Sequence, residues 1–255
     1  MNLALAQSTF TAMAMLLMLA TASAQSVDEL MKKGDAFDRR FEAVEALKFY
    51  LPAEKQEPKN VNVLVRIARQ YRYEMADATA NDEKLRLARL ALGYAQRAVA
   101  AAPENAEAHL SVAITYGKML PFLPTKEQVD TSPRIKKAVD KTLRLDPRND
   151  LAWHILGRWH RVLADVSGLK RILAGAIYGS LPKGSNEEAA KALEKAISLN
   201  PNRLMHYIEL GRVYVQMGRK EDAEKFINKG LSMPNTEKDD PESKARGREA
   251  LEKLR

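Results

Sequence analysis

Small and aromatic residues recur along this chain at fixed offsets within an otherwise polar and aliphatic sequence. The first copy places them at offsets 0, 3, 12, 16, 19 and 24, in Gly34, Phe37, Ala46, Tyr50, Ala53 and Pro58. Four further copies are headed by Ala68, Ala113, Gly157 and Gly211. A small head residue lets two helices approach closely, and the aromatic residue one turn later fills the space beside it. The period therefore predicts five stacked helical hairpins.

Proline marks where the second helix of each of the first four hairpins is expected to stop, because it cannot donate the next helical hydrogen bond. Three of these stops have similar sequences, which are A-A-P-E-N at 101–105, L-D-P-R-N at 145–149 and L-N-P-N-R at 199–203. The whole pattern resembles the tetratricopeptide-like repeat. It predicts an all-α, right-handed superhelix of five hairpins plus a C-terminal capping helix, spanning residues 25–255.

The copies differ in length. Each copy but the third has a second small residue on its second helix, which is Ala46 in the first copy. The spacing from the head residue to this second small residue is 12 in the first and last units, 23 in the second and 32 in the fourth. In the third unit Arg134 stands in place of the second small residue. We expect longer connections inside the middle three hairpins, on one face of the solenoid. The largest holds an amphipathic segment, Gly168 to Leu181, which is predicted to form an extra helix. This helix could either pack on the solenoid or lie in a membrane interface.

The first 24 residues carry no charged side chain, contain an apolar stretch from Ala12 to Ala20, and end in Ala22-Ser23-Ala24. This pattern is typical of a signal peptide, with cleavage before Gln25 and export to the periplasm or the cell exterior. No Lys or Arg precedes the apolar stretch. The alternative is a membrane anchor formed by residues 1–24, although the unbroken apolar stretch is far shorter than the roughly 20 residues that span a bilayer.

Charge is distributed unevenly. The chain has a formal net charge of +8, and residues 60–184 alone contain 20 Lys and Arg against 12 Asp and Glu. The basic excess therefore lies in the three middle repeats, which favours an anionic ligand or membrane face over nucleic acid. The sequence has no cysteine, which excludes disulfides and thiol chemistry.

The repeat register predicts a ligand-binding groove on the concave side of the solenoid. Residues one and four places after each head, and three before it, are expected to line it. The set comprises Arg69, Arg72, Arg158, Arg161, Arg212, Val65, Leu110, Ile114, His154 and Ile208. Arginine pairs bidentately with carboxylate or phosphate, so the set suits an anionic amphiphile, such as a phospholipid. The alternative is that the arginines bridge to acidic side chains within the solenoid.

No sequence motif supports catalysis. The chain lacks G-x-S-x-G, G-x-x-x-x-G-K-[ST] and H-E-x-x-H, and its histidines have no acidic or cysteine neighbours at metal-ligand spacing. His154 and His160, six residues apart, fall on different helix faces, and His160 occupies an aromatic core column. We therefore expect no catalytic residues, no metal and no cofactor.

The phrase N-D-L-A-W-H-I-L-G-R-W-H at 149–160, with L-P-K-G-S at 181–185 and A-I-T-Y-G-K at 113–118, resembles the regulator of microtubule dynamics family. The resemblance implies a non-enzymatic helical-repeat protein, and in some animal members a repeat domain that holds phospholipid at organelle contacts. Three hypotheses remain: an exported scaffold for a protein partner, an exported protein that binds an anionic amphiphile, or a cytosolic microtubule-associated protein. The third requires residues 1–24 not to be a signal.

Overall fold

The computed structural model describes residues 25–166 and 182–254, which form eleven α-helices and no strand. In chain order the helices are α1 (Val27–Asp38), α2 (Ala43–Gln56), α3 (Val61–Asp77), α4 (Asn81–Ala101), α5 (Ala106–Met119), α6 (Thr125–Leu145), α7 (Asp150–Ala164), α8 (Asn186–Leu199), α9 (Leu204–Gln216), α10 (Lys220–Ser232) and α11 (Asp240–Glu252). A single turn of 3-10 helix, Leu120–Phe122, precedes α6.

Consecutive helices pair as five antiparallel hairpins, and α11 packs on both helices of the last one. The first helix of each hairpin from α3 to α9 also contacts the first helix of the next, so α3, α5, α7 and α9 together form the inner layer. This arrangement confirms the predicted all-α, tetratricopeptide-like superhelix of five hairpins with a C-terminal capping helix. The capping helix runs from Asp240 to Glu252.

The proline phrases both end one helix and start the next. After α4 and α6 end, Pro103 and Pro147 lie in the turn, and the asparagine two residues later caps the following helix. Asn105 Oδ1 accepts a hydrogen bond from the Ala108 N–H, and Asn149 Oδ1 accepts one from the Ala152 N–H, both at 3.0 Å. Such caps satisfy N–H groups that have no partner within the helix.

Contact between the two helices of a hairpin depends on the small residues that recur at fixed positions of the repeat. Ala46, Ala91, Ala189 and Ala223 are completely buried. A Cβ atom added at Gly34 would meet the Tyr50 ring at 2.4 Å, and one at Gly211 would meet Ile227 Cγ1 at 2.4 Å. The helices are therefore closer at these points than any larger residue permits.

The longer second and third repeats have a different cause from the one expected, whereas in the fourth unit residues 165–185 separate the two helices. Only residues 78–80 connect α3 to α4, and the additional residues of the second unit instead lengthen the helices to 17 and 21 residues. The third unit likewise has a 21-residue second helix, α6. Extending both helices keeps their backbone hydrogen bonds satisfied, which a long loop would not. The predicted helix at 168–181 and the predicted signal peptide at 1–24 lie outside the described residues.

Substituting Gly211 tests the close approach of α9 and α10. Gly211→Ala is expected to lower the free energy of unfolding by about 1–3 kcal/mol, because the new methyl group overlaps Ile227 and approaches the α10 backbone. Gly93→Ala is the matched control, since a Cβ added at Gly93 would meet nothing within 4 Å outside the backbone of α4. That change is expected to stabilise the protein by about 1 kcal/mol through helix propensity. Urea titration followed by circular dichroism measures both, and shifts of the same sign would contradict the packing argument.

Candidate functional site

The ten residues of the predicted groove lie on four successive first helices. Val65, Arg69 and Arg72 belong to α3, Leu110 and Ile114 to α5, His154, Arg158 and Arg161 to α7, and Ile208 and Arg212 to α9. Because these helices contact one another in order, the structure brings the set onto one layer of the solenoid. We use concave face for this surface of α3, α5, α7 and α9.

The aliphatic members of the set are mostly part of the core. Val65, Leu110 and Ile208 are 6%, 2% and 1% exposed, and only Ile114 is partly accessible. Val65 packs with Leu64 in one hydrophobic cluster, and Ile208 belongs to another together with residues of α10 and α11. These side chains therefore hold helices together and leave little open apolar wall.

Three of the five arginines pair with carboxylates from a neighbouring repeat or turn of helix, as the alternative hypothesis expected. Arg69 pairs with Asp38 of α1. Arg161 Nε donates to Glu209 Oε1 at 2.6 Å, and Arg212 Nη1 donates to Glu209 Oε2 at 2.8 Å. Asp38 balances the charge of Arg69, whereas Arg161 and Arg212 share the single negative charge of Glu209.

Arg72 and Arg158 form no ion pair with a carboxylate of the described residues. Arg72 is 5% exposed, and its Nη1 donates to two neutral hydroxyls of α5, Ser111 Oγ at 2.9 Å and Thr115 Oγ1 at 3.2 Å. Burial lowers the pKa of Arg72 to about 10, which still leaves it charged at neutral pH. Arg158 is partly accessible and makes no hydrogen bond or ion pair with the described residues. Burial, opposed by the charge of Glu209, lowers its pKa.

Glu209 is the centre of one polar network. Its side chain is 3% exposed and accepts from guanidinium groups of two different helices, α7 and α9. The charges of Arg161 and Arg212, with Arg158 nearby, hold the pKa of Glu209 well below its usual value despite burial. A buried carboxylate is retained in ionised form only with such partners.

A second network links α7 to α9 through histidines. His206 Nε2 donates to Asp150 Oδ2 at 2.9 Å, so His206 Nδ1 is left to accept from the Nδ1–H of His154 at 3.1 Å. Arg203 donates both to Asp150 and to Glu237, which follows α10. Sequence reasoning missed His206 and Asp150 as partners, because they lie 56 residues apart and only the stacking of two repeats brings them together.

Metal binding and membrane spanning find no support in the described part of the chain. Within residues 25–166 and 182–254, no group of three or more His, Asp or Glu side chains is arranged to hold a metal ion. None of the helices in those ranges is long and apolar enough to cross a membrane.

The fold and this surface define a tetratricopeptide-like helical-repeat protein. Among solved structures, a thermophilic TPR protein of Thermus thermophilus superposes with a TM-score of 0.64 at 17% identity, covering 89% of this chain and 99% of that one. The pilF protein of Pseudomonas aeruginosa gives a TM-score of 0.54 at 14% identity, covering 89% and 91%. Likeness at this level of identity shows the fold alone.

The family follows from the sequence. A family model described as regulator of microtubule dynamics protein 1-3 matches residues 24–255, and the chain belongs to this family. Regulator of microtubule dynamics protein 2 of Mus musculus is 26% identical over 220 residues, which cover 85% of this chain and 53% of that protein. Protein 1 of Bos taurus is 26% identical, covering 86% and 70%. The chain thus spans about half the length of the mouse protein that it matches.

Replacing Glu209 tests its network. Glu209→Gln is expected to lower the free energy of unfolding by about 3 kcal/mol, because it leaves Arg161 and Arg212 without a counter-charge in a buried site. Glu249→Gln is the control, since Glu249 pairs with Lys253 on the exposed side of α11. It is expected to leave the free energy of unfolding nearly unchanged, because an exposed ion pair contributes little to stability. Chemical denaturation measures both, and equal effects would contradict a central role for Glu209.

The histidine pair predicts a pH dependence of stability. Burial lowers the pKa of His154 and, against the opposing effect of Asp150, that of His206. The folded protein then binds fewer protons than the unfolded chain, so stability falls as the pH drops through the unfolded histidine pKa of about 6.5. Denaturation between about pH 8 and pH 5.5 should show this fall. It should be smaller in His154→Gln/His206→Gln, and an unchanged slope in that variant would exclude the pair as the cause.

Proposed function

We propose that this chain is a non-enzymatic, exported helical-repeat scaffold whose concave face binds an anionic protein partner. Membership of the family and the tetratricopeptide-like fold support the scaffold class, since such solenoids present an extended concave surface to partners. The observation that carries the anionic preference is the pair of arginines, Arg72 and Arg158, that lie on this face without a carboxylate partner.

The energetic argument rests on desolvation. A guanidinium group removed from water and left without a counter-charge destabilises its site by several kcal/mol, and neutral hydroxyl partners recover only part of this. An incoming carboxylate would pair with Arg158, which is partly accessible, whereas the 5% exposed Arg72 would have to move to be reached. Arginine binds carboxylates in a bidentate manner. Arg69 already has Asp38 as a partner, and Arg161 and Arg212 share Glu209.

An anionic amphiphile is the second candidate, favoured by the same two arginines. An amphiphile would also need an open apolar wall for its chain, and the burial of Val65, Leu110 and Ile208 leaves Ile114 as the partly accessible member of the aliphatic set. The geometry therefore supports an acidic polypeptide ahead of a phospholipid.

Export is supported by the composition of residues 1–24, with cleavage between Ala24 and Gln25. The third candidate, a cytosolic role on microtubules, is suggested by the names of the relatives and requires that residues 1–24 do not direct export. We expect mature protein that begins at Gln25 and is absent from the cytosolic fraction. Cell fractionation with N-terminal sequencing decides this, and a soluble cytosolic chain that begins at Met1 would contradict export.

Replacing the two unpaired arginines tests the site. Arg72→Gln/Arg158→Gln is expected to weaken binding of a fluorescent ten-residue polyglutamate peptide about tenfold, because it removes the charges that would pair with carboxylates. Lys225→Gln/Lys229→Gln removes the same charge from exposed positions of α10 and should leave binding unchanged. Anisotropy gives the affinities and circular dichroism verifies equal helicity.

The outcomes separate the candidates. Equal weakening in both variants would indicate nonspecific charge attraction and contradict the proposal. Flotation with vesicles of phosphatidylserine and phosphatidylcholine runs in parallel. Arginine-dependent binding to these vesicles, without binding to the peptide, would establish the amphiphile candidate instead.

A further inference from the structure

Residues 233–239, which we call the strap, connect α10 to α11 and contact the ends of three helices of the inner layer. Three consecutive strap residues form ion pairs with three different repeats. Glu237 Oε1 accepts from Arg203 Nη2 at 3.0 Å, Lys238 Nζ lies 2.7 Å from Asp77 Oδ1, and Lys118 Nζ lies 2.7 Å from Asp239 Oδ2. The last two pairs join residues 161 and 121 positions apart in the chain. The strap therefore bridges α3, α5 and α9.

The charges of the strap alternate in register with those of the solenoid. An acid, a base and an acid on the strap meet a base, an acid and a base at Arg203, Asp77 and Lys118. A ligand site with this order of charges selects fewer peptide sequences than a site that recognises net charge alone.

Hydrogen bonds to Asp240 hold the end of the strap that adjoins α11. Asp240 is 1% exposed, and its Oδ2 accepts from the backbone N–H groups of Thr236 and Glu237 at 2.7 and 2.8 Å. The capping helix α11 is itself anchored where Gly247 packs so closely on Ile208 that an added Cβ would lie 2.8 Å from it. The strap ion pairs can thus break without releasing α11 from the core.

We propose that the strap is an intramolecular ligand of the concave face, and that the external partner is a peptide segment with an acid–base–acid triplet that displaces it. This inference rests on the proposed function and narrows its anionic partner to a class of sequence. Each strap pair is partly exposed to solvent, so each contributes little by itself. A peptide segment from another molecule therefore needs little free energy to displace the strap. Weakening the strap raises the apparent affinity of that peptide for the concave face.

The test uses the full chain and a fluorescent synthetic peptide with the sequence of residues 233–241. Glu237→Gln/Asp239→Asn weakens the strap and leaves Arg203, Asp77 and Lys118 intact. We expect this variant to bind the peptide about tenfold more tightly than the unaltered chain. Glu249→Gln/Glu252→Gln is the matched control, because it removes two exposed acids from α11 outside the strap. Its affinity should equal that of the unaltered chain.

A peptide with the triplet charges reversed should bind none of these proteins. Equal affinity of the unaltered chain and the strap variant would overturn the inference, as would an equal gain in the α11 control. The proposed function would stand in either case if polyglutamate binding still depended on Arg72 and Arg158. Failure of every variant to bind either acidic probe would instead overturn the proposed function and the inference together.

A second measurement avoids any loss of folding in the strap variant. Because the chain has no cysteine, Asp77→Cys/Lys238→Cys introduces a unique pair that a reducible thiol crosslinker can join. The crosslinked protein should lose peptide binding, and reduction should restore it. Peptide binding that survives crosslinking would show that the strap and the peptide do not share a site.

Discussion

Close contact between the two helices of each hairpin is the constraint on which the rest of this structure depends. At Gly34, Gly157 and Gly211 the partner helix is so near that an added Cβ would overlap an opposing side chain by about an ångström. This contact fixes how each first helix is rotated about its axis, and that rotation decides which side chains face the next repeat. The inner-layer charges are therefore placed by glycine and alanine positions that carry no charge themselves.

The fixed rotation explains why cations and acids of different repeats meet in ordered pairs. Asp38 of α1 pairs with Arg69 of α3, and Glu209 of α9 pairs with Arg161 of α7. In each case the partners occupy the surfaces that stacking brings together. Buried pairs of this kind add little net stability, but they strongly disfavour any register that separates them. Their best-supported role here is to fix the angle between repeats.

The fold could be predicted from sequence because its determinants are local. The head glycine, the aromatic residue one turn later and the proline stop all act within a single hairpin. The lengthened second and third units could not be assigned in the same way, because the residues of α4 and α6 continue a helix as readily as they fill a connection. The arginines were placed on the right helices, whereas their partners required knowledge of the contact between repeats. Glu209 and Asp150 carry no sequence signal that distinguishes them from exposed acids.

The distribution of charge along the sequence therefore describes the binding surface incompletely. Residues 60–184 contain the whole basic excess, yet much of it is balanced by acids from outside that range, including Asp38 for Arg69 and Glu209 for Arg161. What remains on the concave face is the charge of Arg72 and Arg158, together with the part of the charge of Arg161 and Arg212 that their shared partner Glu209 does not balance. A ligand meets this residual charge and not the sum over the sequence. Under the proposed function, the affinity of the concave face for its partner would be set by these few groups and by how often residues 233–239 leave that face.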